Sequence, residues 1–92
     1  MTDEQHRAEL VYLQGIRDEL ARARAKFPRK FSSPHEAYAV LREELEEFWD
    51  VVKSGVIDEQ PGEPATIRHC PAAQKELIQV AAMCLRALED FA

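Results

Sequence analysis

Residues 33–55 of the chain read SPHEAYAVLREELEEFWDVVKSG and contain the clearest helix signals in the sequence. Ser33 is a typical N-cap, Pro34 occupies the first helical position, and Glu36 follows three residues after the serine. Gly55 is suited to a C-terminal cap. Between these signals, apolar side chains recur every three or four residues, at Ala37, Leu41, Leu45, Phe48 and Val52. The stretch therefore predicts an amphipathic helix that begins at Pro34 and ends just before Gly55.

A helix is also predicted on either side of this stretch. The first begins at Thr2 or Asp3 and ends at Lys26, because Pro28 disfavours a helical conformation for the residue before it. Its apolar stripe is formed by Leu13, Ile16, Leu20, Ala23 and Phe27. The last helix begins near Pro71, and we expect its core stripe to consist of Leu77, Val80 or Ala81, Cys84, Leu88 and Phe91. Residues 56–71 contain prolines and a glycine, and they predict a loop.

The chain has 92 residues, which is the length of a single domain, and no segment has the alternating pattern of a strand. The fold class predicted for residues 1–92 is therefore all-α, with three helices in a bundle. A chain of this length buries only about 60–65% of its unfolded surface. We therefore expect oligomerisation through the apolar faces of the first and third helices to complete the bundle, as a homodimer or homotetramer.

The balance of charge excludes some classes of partner. Acidic residues outnumber basic ones by 17 to 12, and this excess argues against a nucleic-acid-binding protein. No apolar run approaches the ~20 residues of a membrane span, and the acidic N-terminus does not resemble a signal peptide. Cys70 and Cys84 lack metal-ligand spacing and are typical of free thiols in a reducing compartment. These features predict a cytoplasmic protein without a membrane partner.

The predicted second helix carries carboxylates beside its apolar stripe. Glu44 and Glu47 are three residues apart, so they share one edge of that stripe and repel each other. Glu76 and Gln79 have the same spacing on the third helix. Facing pairs of this kind on packed helices form the metal sites of helical bundles, and Mg²⁺ prefers oxygen ligands. The alternative interpretations are a solvated acidic face and, for Glu76, a favourable position in the first turn of a helix.

The order and spacing of these residues resemble a known family. Glu43-Glu44-x-x-Glu47, followed after 28 residues by Glu76-x-x-Gln79, is similar to the EExxE…ExxD signature of the all-α nucleoside triphosphate pyrophosphohydrolases, and in particular to their short MazG-like members. The similarity extends to two further segments, residues Ser33 to Leu41 before the first motif and residues Gln79 to Met83 at the end of the second.

The resemblance implies an activity and a set of site residues. The activity is hydrolysis of a (deoxy)nucleoside triphosphate to a monophosphate and pyrophosphate, with Mg²⁺, or Mn²⁺ in its place, as the metal. Glu44, Glu47 and Glu76 would bind the metal, with Gln79 in the fourth position. Glu43, Glu44 and Glu47 would form the catalytic group, in which Glu43 supports the metal or orients the attacking water.

Gln79 departs from the family signature, which has an aspartate in this position. A glutamine brings no charge and cannot act as a base, so the resemblance implies weaker Mg²⁺ binding here. Many family members also have a fourth helix, which a second subunit would have to supply. The alternative function is therefore a catalytically degenerate relative that binds a nucleotide or a protein without turnover, and a third is a helical oligomer without a small-molecule ligand.

Other side chains are candidates for binding the substrate. Lys75 and Arg86 are candidates for the phosphates, and Tyr38 could stack on a base, although aromatic residues are more often part of a core or an interface. A stretch with five cations and no acid could receive the triphosphate or form a solvated basic face; it contains Arg22, Arg24, Lys26, Arg29 and Lys30.

Overall fold

The computed structural model describes residues 2–55, residue 57 and residues 70–92. This part of the chain forms three helices, α1 (Asp3–Lys26), α2 (Pro34–Lys53) and α3 (Pro71–Asp90), and contains no strand. The all-α class is confirmed. None of the described helices combines the length and apolarity needed to cross a membrane. Most of the predicted loop at residues 56–71, namely Val56 and residues 58–69, lies outside the described residues.

The helix ends have the physical causes that the sequence predicts. The Thr2 hydroxyl accepts a hydrogen bond from the backbone N–H of Gln5, and the Gln5 side chain accepts one from the backbone of Thr2. At α2, the Ser33 hydroxyl accepts from the Glu36 N–H at 3.1 Å. The Glu36 carboxylate departs from the expected capping box, because it accepts from the N–H of Ser32 instead. Gly55, with φ of 78°, follows the end of α2.

Helix α3 packs against both α1 and α2. The buried core consists of Leu20, Phe31, Ala37, Ala82 and Met83, which come from all three helices and from the α1–α2 connection. Ala73 and Ala82 have no exposed surface. A Cβ added to Gly15 would lie 3.4 Å from the Ile78 Cδ1, so α1 and α3 are also close there. Small side chains therefore allow the helices to approach closely.

Part of the predicted core is wrong. Leu45 is 55% exposed, Leu88 is 71% exposed, and Cys84 is an exposed free thiol. The buried side of α3 is centred near Met83 and includes Arg86, whereas Cys84 and Leu88 are turned from Met83 by about 100° and 140° around the helix. The reason is that α3 contacts two helices through small and polar side chains, so the most apolar stripe does not mark the buried side.

A network of charged residues lies at the C-terminal end of α3, and the sequence analysis did not predict it. We call Arg24, Arg86 and Asp90 the C-terminal charge network. Asp90 accepts hydrogen bonds from Arg24 at 3.0 Å and from the backbone N–H of Phe31 at 2.9 Å. Arg86 is 6% exposed, donates to the carbonyls of Phe27 and Arg29, and lies over the Phe31 ring. The network therefore attaches α3 to the α1–α2 connection.

The N-terminal half of α1 makes a weaker contact with α3, in which the Gln74 Nε2 donates to the Tyr12 hydroxyl at 3.5 Å. Every residue from Asp3 to Gln14 is exposed, and the first half-buried residues of α1 are Gly15 and Ile16. Leu10, Val11 and Leu13 are among the exposed residues. The buried part of the contact between α1 and α3 thus lies in the C-terminal half of α1.

Candidate metal centre

Three glutamates from two helices converge at the contact between α2 and α3. Glu44 and Glu47 of α2 and Glu76 of α3 each place one carboxylate oxygen within 4.8 Å of the other two. We call these three residues the carboxylate cluster. The oxygen ligands of an octahedral Mg²⁺ ion lie about 2.1 Å from the metal, and hence at most about 4.2 Å from one another. Small side-chain rotations would bring the three oxygens to such distances.

The electrostatics of the cluster favour a proton or a cation. Burial, followed by the charges of Glu47, Glu76 and Glu43, raises the pKa of the Glu44 carboxyl from 4.5 to about 7. Burial and the interaction with Glu47 also raise the pKa of Glu76, while the charge of Lys75 opposes this shift. Three ionised carboxylates therefore destabilise one another at neutral pH, and a bound divalent cation would remove that repulsion.

Gln79 lies between two members of the cluster. In the amide orientation that satisfies its hydrogen bonds, its Nε2 donates to the Glu76 Oε2 at 2.9 Å and to the Glu44 Oε2 at 3.2 Å. The amide thus bridges two carboxylates with N–H groups. To act as the predicted fourth metal ligand, it would have to turn its carbonyl oxygen toward the ion.

A cleft of about 810 Å³ opens beside the cluster. Glu43, Glu44 and Gln79 line its acidic end. Arg22, Lys26 and Arg29, which we call the basic wall, line another part of it, and Met83 and Arg86 contribute from α3. The volume is within the range of small-molecule sites. A single cleft therefore offers both carboxylates and cations to a ligand.

The structure separates the five cations of residues 22–30. Three of them form the basic wall, whereas the side chain of Arg24 pairs with Glu89 and Asp90. Lys30 does not line the cleft. The five cations therefore do not form one basic face, because three of them line the cleft and two do not.

The remaining predicted site residues are not all brought together. Glu43 is exposed and lines the cleft, and Lys75 is exposed beside Glu76. Tyr38 is 64% exposed and does not line the cleft. Arg86 lines the cleft, but its guanidinium already donates to two backbone carbonyls. Substrate binding by Tyr38, Lys75 and Arg86 stays a prediction, as do the catalytic roles of the glutamates.

When the chain is compared with known protein families, curated proteins and solved structures, none of the three comparisons gives a significant match. The resemblance to the all-α pyrophosphohydrolases therefore depends on the motifs in the sequence.

Proposed function

We propose that this chain is a MazG-like, Mg²⁺-dependent nucleotide pyrophosphohydrolase that hydrolyses a (deoxy)nucleoside triphosphate to a monophosphate and pyrophosphate. The observation that carries the proposal is the convergence of Glu44, Glu47 and Glu76 from two helices beside a cleft that also has basic residues. Such a cleft suits a ligand that is anionic and binds a divalent cation, and a nucleoside triphosphate has both properties.

The donor set fits a hard cation. The carboxylate cluster offers charged oxygens only, and the raised pKa of Glu44 reflects its burial and the charges of Glu47 and Glu76, whose repulsion a cation would relieve. Glu44, Glu47 and Glu76 would hold the ion, with Mn²⁺ as an alternative to Mg²⁺. When bound, the metal neutralises the triphosphate and stabilises the charge that develops on the leaving pyrophosphate.

The chain's own residues have separate roles in this proposal. Glu43, which is exposed at the acidic end of the cleft, orients the attacking water and accepts its proton. Gln79 holds Glu44 and Glu76 close together through its amide N–H groups. The cations of the cleft counter the charge of the phosphate chain.

A second copy of the chain is part of the proposal. Leu45, Trp49, Leu88 and Phe91 are exposed on α2 and at the end of α3, and Leu41, Cys84 and Ala87 extend this surface as a shallow groove. Exposed apolar patches of this kind mark protein interfaces. We propose a homodimer or homotetramer in which this surface is covered. Leu88→Glu should reduce the molar mass measured by light scattering, and an unchanged mass would place the interface elsewhere.

One observation favours the second candidate function, a degenerate relative that binds nucleotide without turnover. Gln79 supplies N–H donors where the family signature has a fourth carboxylate, and these donors already satisfy Glu44 and Glu76 without a metal. A site held in this way has less need of Mg²⁺.

Pyrophosphate release from a panel of nucleoside triphosphates, measured with Mg²⁺ and with a chelator, tests the proposed function. We expect Mg²⁺-dependent release by the wild type and its loss in Glu47→Gln. Glu46→Gln is the matched control, since Glu46 lies on the same helix but pairs with Arg42 at the surface. Release that is unaffected by Glu47→Gln would contradict the assignment.

Gln79→Asp separates the two candidate functions. In a weakened enzyme the fourth carboxylate should tighten Mg²⁺ binding by about tenfold and raise the rate of release. If the wild type binds nucleotide without turnover, and Gln79→Asp gains neither metal affinity nor activity, the degenerate relative is the better description.

A further inference from the structure

Within the cleft, the cations differ in what they are already bound to. Arg29 makes two hydrogen bonds to the Glu36 carboxylate, both at 3.1 Å, and this pairing contributes to a pKa of about 2 for Glu36. Arg86 is held by the backbone carbonyls of Phe27 and Arg29. These two guanidinium groups therefore already have partners within the chain.

Lys26 is different. Among the described residues, no carboxylate lies within ion-pair distance of its ammonium group, which lies 5.4 Å from the centre of the Phe27 ring. Its neighbour one turn earlier, Arg22, pairs with Glu19, and the Arg22 side chain is 69% exposed. Exposed pairs contribute little free energy, so a phosphate could take over the arginine at small cost. Lys26 is thus the cation of the cleft that, among the described residues, has no carboxylate partner, and Arg22 lies one turn from it in an exposed pair.

The two groups lie on different helices. Lys26 and Arg22 belong to the last turns of α1, whereas the carboxylate cluster belongs to α2 and α3. The basic pair and the carboxylate cluster contact the same phosphate group of a ligand only if that phosphate lies between the two. A chain of several phosphates with a cation at one end offers each group its own partner.

We propose that Lys26, assisted by Arg22, binds the terminal phosphate of the triphosphate while the carboxylate cluster and its cation bind the phosphates nearer the nucleoside. This inference rests on the proposed function, which supplies the metal at the cluster. It makes Lys26 a specificity-determining residue, because a triphosphate has a terminal phosphate to offer it and a monophosphate bound at the cluster has none.

Calorimetric titration with inorganic triphosphate at saturating Mg²⁺ tests the assignment without depending on catalysis or on the base. Removal of one charged contact should raise the dissociation constant about tenfold in Lys26→Gln. Lys30→Gln is the matched control, because Lys30 has the same charge, lies four residues away and does not line the cleft. Its dissociation constant should equal that of the wild type. Equal effects of the two variants, or no effect of Lys26→Gln, would overturn the proposal.

Pyrophosphate release by the same proteins distinguishes this inference from the proposed function. We expect Lys26→Gln to lower kcat/KM for a nucleoside triphosphate about tenfold, because the terminal phosphate belongs to the leaving pyrophosphate and loses its contact with Lys26 in the ground state and in the transition state. If the wild type releases no pyrophosphate but Lys26→Gln still weakens triphosphate binding, the proposed reaction fails and the Lys26 assignment stands. If release is Mg²⁺-dependent but identical in the wild type and Lys26→Gln, the reaction stands and the Lys26 assignment fails.

Discussion

The buried face of α3 carries charged or polar side chains at both ends, but the two ends are built on opposite rules. In the C-terminal charge network, Asp90 contacts Arg24 and Arg86, and each charge meets an opposite one. In the carboxylate cluster, Glu76 meets two further glutamates, and the Gln79 amide donates hydrogen bonds to Glu44 and Glu76. Opposite charges attach one part of the chain to another, whereas clustered like charges reduce stability unless a ligand neutralises them. The first end therefore holds parts of the fold together, whereas the second end gains stability from a cation under the proposed function.

The largest expected effect comes from disrupting the C-terminal charge network. Arg86→Met keeps much of the side-chain volume but removes the contacts to Asp90 and to the carbonyls of Phe27 and Arg29. Loss of one partner of a buried pair costs about 3–5 kcal/mol, so we expect the free energy of unfolding in urea to fall by this amount. An unfolding free energy equal to that of the wild type would mean that the network does not hold α3.

The next effect concerns the cation at the second end. Mg²⁺ at about one hundred times its dissociation constant should stabilise the folded chain by about 2.7 kcal/mol. Glu76→Gln should abolish this gain, which thermal unfolding with and without a chelator measures. Glu46→Gln should retain it. A gain of equal size in all three proteins would indicate that Mg²⁺ binds elsewhere.

The carboxylate cluster and the C-terminal charge network should also make the free energy of unfolding depend on pH in opposite directions. Because the folded state raises the pKa of Glu44 from 4.5 to about 7, it holds a proton that the unfolded chain has already released. In chelator, this group should therefore lower the free energy of unfolding as pH rises from about 4.5 to about 7. Glu44→Gln should flatten that part of the profile, which urea unfolding at a series of pH values measures.

Asp90 provides the contrast, since its hydrogen bond from Phe31 and its pairing with Arg24 hold its pKa below the ordinary value. The contribution of Asp90 to the free energy of unfolding is present at neutral pH and is lost as pH falls through the lowered pKa.

If Glu44→Gln leaves the slope of the unfolding free energy between about pH 4.5 and 7 unchanged, the difference between the two ends of α3 is not electrostatic.

The smallest effect sharpens the comparison by changing an uncharged contact. Gly15→Ala adds a methyl group at ordinary van der Waals distance from the end of the Ile78 side chain. Alanine is favoured over glycine inside a helix by about 1 kcal/mol, so we expect a gain of up to that size in urea unfolding and no change in Mg²⁺ affinity. A loss of stability would show that α1 and α3 cannot separate by the small distance needed.

The sequence predicts the helices well because their ends are determined locally. Ser33 and Pro34 begin α2, and Pro28 follows the end of α1, as expected from hydrogen-bond capping and proline geometry. The sequence predicts less well which side of each helix is buried. Cys84 and Leu88 are exposed because α3 packs between two helices through Ala73, Ala82 and polar side chains, and hydrophobic periodicity does not detect such a face.

The candidate site is predicted in its centre, whereas its basic wall is predicted only as part of a longer stretch of cations. The spacing of Glu44 and Glu47 within α2 brings them together locally, and the family signature adds Glu76. The difference between Lys26 and Arg24 depends on the long-range pairing of Arg24 with Asp90, which no local spacing indicates. The spacing of Arg86 and Asp90 by four residues on α3 was the one signal for the C-terminal charge network.

The exposed N-terminal half of α1 has a consequence for amide hydrogen exchange. An isolated helix of about twelve residues is marginal in water, and residues 3–14 have no buried side chain to support them. Their backbone amides should exchange through local fraying, with opening free energies well below that of global unfolding. The amides near Leu20 should exchange only when α3 detaches. We therefore expect the protection of the α1 amides to rise from about Gly15 onward, where the helix begins to be buried.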